Sequence, residues 1–60
     1  MSYWQPIETA PENKVVLTKI DDKNGVRNEV KLIRQGRLWF FADRTMYVYY
    51  QPTHWRKTND

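Results

Sequence analysis

From Lys14 onward the chain is written with a period of two. Lys14-Val15-Val16-Leu17-Thr18-Lys19-Ile20 is rich in β-branched residues and runs into Asp21-Asp22-Lys23-Asn24-Gly25. That polar cluster holds an Asn-Gly pair suited to positive φ, so the pattern predicts a strand, a tight turn and a returning strand. The return over 26–34 sets Val26, Asn28, Val30 and Leu32 on one face, with Arg27, Glu29, Lys31 and Ile33 on the other. Gln35-Gly36 and Asp43-Arg44 read as further turns, bounding two more strands over 37–42 and 45–50. Pro52 cannot donate to a ladder, so 53–56 follows either as a short fifth strand or as a 3₁₀ turn. Pro6 and Pro11 exclude a long helix near the start and leave room for one turn over 8–10. The expected fold is all-β: a small four- to five-stranded antiparallel meander or an SH3-like barrel over 14–56. An irregular N-terminal arm over 1–13 is expected to be pinned over an open end of the sheet by Trp4 and Ile7, and the tail over 57–60 is expected to fray.

The hairpin over 37–50 departs from simple amphipathicity. Alternation places Leu38, Phe40, Met46, Val48 and Tyr50 on one face and Trp39, Phe41, Tyr47 and Tyr49 on the other, so both faces are apolar. A short chain buries only one side of a flat sheet in its own core. Three arrangements cover the second side: closure into a barrel with the arm packed outside, a homodimer, or a site for another molecule.

Composition narrows the functional classes. The chain of 60 residues is 40% hydrophobic and 28% charged, the balance of one small folded domain. With no cysteine there is no disulfide, thiolate metal site or cysteine nucleophile. No apolar run reaches the ~20 residues of a membrane helix and the first residues lack a secretory pattern, so no membrane partner and a cytoplasmic location are expected. His54 is the sole histidine, and no carboxylate spacing completes a metal site around it; no metal and no cofactor are expected. As a general base it would need an oriented nucleophile, and Thr53 beside it in a strand would point to the opposite face. Asp21 and Asp22 read as solvated turn residues, and the two isolated glycines form no phosphate loop. No catalytic residue is assigned, and the chain is expected not to be an enzyme.

Charge is divided along the chain. Residues 1–30 carry four basic and five acidic side chains, and residues 31–60 carry six basic against Asp43 and Asp60. The basic half is also the aromatic half.

The two end segments carry a resemblance. Trp4-Gln5-Pro6-Ile7-Glu8-Thr9-Ala10-Pro11 near the start, Trp39 after a predicted turn, and Pro52-Thr53-His54-Trp55 near the end resemble a family of short proteins of unknown function found in bacteriophages and prophages. Members of that family follow the Ala-Pro with a Lys-Asp-Gly-like turn, where this chain has Glu12-Asn13-Lys14. They follow the His-Trp with Met-Pro-Leu-Pro, where it has Arg56-Lys57-Thr58. The resemblance implies a phage or prophage origin, a bacterial host cell, and no activity. Physically, Trp4, Pro6, Ile7, Ala10, Pro11, Pro52, Thr53, His54 and Trp55 read as structural, the two tryptophans closing one rim together. The alternative is a surface cluster of Trp4, His54 and Trp55 that grips a partner.

The functional expectation is a small binding protein that contacts a host or phage protein through an aromatic and basic sheet face. Trp39, Phe41, Tyr47 and Tyr49 would be its anchors, with Arg37 and Arg44 at its rim. The alternative is a single-stranded nucleic-acid-binding β-barrel, with bases stacked on the same rings.

Overall fold

The computed structural model describes residues 3–58. The chain forms one antiparallel sheet from β1 (Gln5–Pro6), β2 (Val15–Asp22), β3 (Gly25–Gln35), β4 (Leu38–Phe41) and β5 (His54–Lys57), in the order β1-β5-β2-β3-β4. β2, β3 and β4 are a meander, and β5 returns to the free edge of β2. The sheet is open, with β1 and β4 at its two ends, so the small meander is the architecture adopted and the barrel is not. No helix among the described residues is long and apolar enough to cross a membrane.

The β2–β3 hairpin forms where the β-branched run and the polar cluster place it. Lys23 and Asn24 make the turn, Asp22 pairs with Gly25, and Gly25 takes a φ of 107°. The Asp22 carboxylate braces the turn by accepting from the Asn24 N–H at 2.9 Å and from the Arg27 guanidinium at 2.9 and 3.2 Å. Farther along, Thr18 pairs with Val30 but Ile20 pairs with Arg27, so Asn28 and Glu29 together oppose Lys19. Asn28 absorbs this bulge at a φ of 58°, a conformation that asparagine tolerates better than most residues. The bulge reverses the strand's parity. Val26 therefore turns outward, 54% exposed, instead of sharing a face with half-buried Val30 and buried Leu32.

The expected strand over 45–50 does not form. The chain makes a single bridge to β4, at Phe40 and Tyr47, with the Phe41 N–H bonded to the Met46 carbonyl and the Val48 N–H bonded to the Trp39 carbonyl. It then leaves the β4 edge, because it must cross the whole sheet to lay β5 beside β2. The segment after Pro52 resolves into the fifth strand, and the short helical turn lies at Ile7–Thr9.

Two irregular segments, the arm and the crossing over 45–53, cover one face of the sheet. Beneath them lie Ala10, Val16, Leu32, Trp39 and Val48, flanked by Ile7, Val30, Tyr50 and Trp55. Thr18 is fully buried there with its hydroxyl donated to the Val30 carbonyl. Arg34 pins the arm by donating to the carbonyls of Ala10 and Gly36, while its own carbonyl accepts the Asn13 N–H. Trp4 and Ile7 do not act together at one end of the sheet. Ile7 packs against the core, and Trp4 sits with Lys19 Nζ 4.3 Å and Arg56 Cζ 5.1 Å from its ring centroid. Lys19, paired with His54, belongs to the face opposite that core. Lys57 begins the expected tail as the last residue of β5, and Asn59 and Asp60 lie outside the described residues.

Candidate binding surface

The residues expected to form one aromatic face are divided by the structure. Phe40 pairs with Tyr47, so Trp39 shares its inward direction with Val48, and Tyr47 shares the outward direction of Phe40. The grouping of Trp39 with Tyr47 and Tyr49 assumed a register displaced by one residue. Arg44 accounts for the displacement: it takes a φ of 63° and donates its N–H to the Phe41 carbonyl at 2.8 Å, closing a turn that no glycine marks. Trp39 is consequently a core residue, 4% exposed, whose ring packs inward and is not part of an exposed aromatic face.

The remaining expected residues stay on the surface and gather new neighbours. Tyr49 is 95% exposed, and its ring meets that of Tyr50 edge to face at 5.7 Å. Tyr47 is 58% exposed and meets Phe40 edge to face at 5.9 Å. Phe41, on the core-side face, is partly exposed at the sheet margin. Leu38 and Met46 are exposed beside them, although alternation alone set them apart from Tyr47 and Tyr49. The signal that finds them is the length of the 42–45 turn, which decides which residues of the return face outward. Burial pushes the Tyr50 phenol above its ordinary pKa, with a smaller contribution from Tyr49.

Electrostatically this corner is one-sided. Asp43 accepts from the Thr45 N–H and hydroxyl at 3.0 and 2.8 Å, and the N–H bond first, then the hydroxyl, holds its carboxyl below the usual range. Neither guanidinium, of Arg37 or of Arg44, has a hydrogen bond or ion pair among the described residues. Arg37 is tied only through its carbonyl, which accepts from Gln51 Nε2 at 3.4 Å. Two shallow depressions flank that contact. One of about 370 Å³ is lined by Ile7, Glu8, Arg34, Arg37, Trp39 and Gln51. The other, of about 170 Å³, is lined by Arg37, Leu38, Trp39, Tyr47, Tyr49 and Gln51 among others.

The two end motifs come together as a clasp. Gln5 pairs with Trp55 and Pro6 with His54, the Ile7 N–H donates to the Thr53 carbonyl, and Trp55 Nε1 donates to Thr9 Oγ1 at 2.9 Å. Ala10 and Pro52 are buried, and Pro11 is half-buried behind them. Trp4 and Trp55 do not close one rim, since Trp55 shares a face with Gln5 and Trp4 lies on the other. The Thr53 hydroxyl lies 2.8 Å from His54 Nδ1, because Thr53 precedes the strand and is not bound by its alternation. The same oxygen accepts the Asp21 N–H at 2.8 Å and is 3.3 Å from the Lys19 carbonyl, so it fastens β5 to β2. Comparison with family models, with curated proteins and with solved structures finds no match.

Proposed function

We propose that this chain is a small non-enzymatic binding protein of the phage or prophage type, acting in the bacterial cytoplasm. It holds a protein partner through the corner formed by β4 and the 42–49 return. One observation carries the reading: Leu38, Phe41, Met46, Tyr47 and Tyr49, all exposed, fall within twelve residues beside Arg37 and Arg44, whose guanidinium groups have no partner among the described residues. Exposed rings and aliphatic groups rimmed by arginine have the composition of interface hot spots. The resemblance of the terminal motifs supports the origin, and the clasp they form ties up Trp55 and Thr9 and lies apart from the corner in sequence. The test is capture of a tagged chain from its host with and without nuclease, using wild type and a Tyr47→Ala/Tyr49→Ala variant. A protein retained after nuclease and lost from the variant, with the melting temperature nearly unchanged, supports the reading. Loss of all bound material on nuclease treatment overturns it.

A second reading has its own observation. On the face opposite the core, Lys31, Leu17 and Arg56 lie in one row across β3, β2 and β5, with Lys19 and His54 in the next and Trp4 over both cations. Trp4 is half-buried and Lys19 is ion-paired with Asp21 at 3.2 Å, so Arg56 beside the Trp4 ring is the feature that suits single-stranded nucleic acid, and affinity for a dT oligonucleotide that falls steeply with salt would favour it.

A further inference from the structure

Trp39 is 4% exposed, yet its indole N–H has no hydrogen-bond partner among the described residues. Among the described residues no fully buried side-chain nitrogen or oxygen lacks a partner, so this N–H is not sealed in the core and keeps some contact with solvent. Trp55 differs, since its indole N–H is consumed by Thr9. Two surface depressions around Trp39 are both also lined by Arg37, whose guanidinium likewise has no partner among the described residues. In the larger one, Glu8 opposes an anion and Arg34 is spent on the carbonyls of Ala10 and Gly36. In the smaller one Arg37 is the sole charged residue, set among Leu38, Tyr47, Tyr49 and Tyr50.

Resting on the protein-partner reading, we infer that this smaller depression takes a carboxylate side chain of the partner, whose docking segment is an acidic peptide with apolar neighbours. A carboxylate has two acceptor oxygens and satisfies both donors at once, the guanidinium bond being charge-assisted. The rings beside it hold the adjacent apolar side chains, as the exposed surface of Leu38 and Tyr47 requires.

The experiment follows the three indole N–H signals of the full chain by two-dimensional NMR, assigned through Trp4→Phe and Trp55→Phe. The probes are an acetylated, amidated octapeptide of Glu, Leu and Ser, the same peptide with Lys for Glu, and a dT oligonucleotide. The expected result is a saturable shift of the Trp39 signal with the acidic peptide alone, at about millimolar concentration or below. Arg37→Gln should weaken it about tenfold without changing the melting temperature. A static Trp39 signal, an equal shift with the lysine peptide, or undiminished binding by Arg37→Gln overturns the inference. A response to the oligonucleotide at lower concentration than to the peptide also overturns it, in favour of phosphate. Retention of the host protein by Arg37→Gln in the capture experiment would sink this inference while leaving the protein-partner reading intact.

Discussion

Arg44 holds a φ of 63° in an exposed turn, where glycine or asparagine would sit with less strain. Arg44→Gly should raise stability by about 1 kcal/mol, read as a higher denaturation midpoint. If the guanidinium serves the corner, the same variant should capture its partner less well, which separates the backbone effect from the side chain's. Trp39 and Tyr49 make the opposite contrast on neighbouring segments. Trp39→Ala removes a ring from the centre of a small core and should cost about 3–5 kcal/mol, enough to unfold much of the population. Tyr49→Ala should stay within about 0.5 kcal/mol of wild type, because its ring is solvated already. Chemical denaturation of the two variants checks both values. Similar losses would show that the ring at 49 shares the work of the core.

At the scale of elements, the clasp makes a claim about coupling. Trp55→Phe and Thr9→Ala each remove one side of the 2.9 Å indole–hydroxyl bond that ties the helical turn to β5. A double-mutant cycle should return a coupling energy of about 1 kcal/mol, and additivity of the two losses would deny the bond an energetic role. How far these elements are legible in the sequence follows from where each takes its instruction. β2, β3 and the turn between them are legible because Val16, Thr18 and Ile20 recur at a spacing of two in a β-branched run and Gly25 marks its own conformation. The bulge is not, since Asn28 occupies a polar site in either parity. The strand expected over 45–50 fails for a reason outside its residues: the far edge of β2 needs a partner, and the connection must cross the sheet to supply one. The candidate site divides in the same way. Arg37, Arg44, Tyr47 and Tyr49 stand exposed as composition suggests, whereas Trp39 faces inward through its register with Arg34 in β3, and the turn after Phe41 decides which later residues share its side.

Across the whole molecule, acid is the condition the sheet should tolerate least. The Arg27 hydrogen bond first, then the Asn24 N–H, holds the Asp22 carboxyl below its ordinary value, and Asp43 is lowered by Thr45. A carboxyl depressed in the folded state contributes stability above its unfolded pKa and loses it as pH falls through the folded pKa. The melting temperature should therefore hold from neutral pH to the ordinary carboxylate range and drop below it. Asp22→Asn and Asp43→Asn should each flatten that acid limb, and unchanged pH profiles would show both pairs to be energetically silent.

The strand order also sets a schedule. β5, the second strand from one end of the sheet, is made of residues 54–57, while its outer neighbour is residues 5 and 6. A ribosome delivers the arm about fifty residues before its partner strand, so Ile7 and Ala10 have no seat until Trp55 has left the tunnel. A nascent chain halted before residue 54 should therefore remain protease-sensitive outside the central meander. In the cell, that leaves an interval in which chaperones meet this chain's tryptophans before the sheet has covered them.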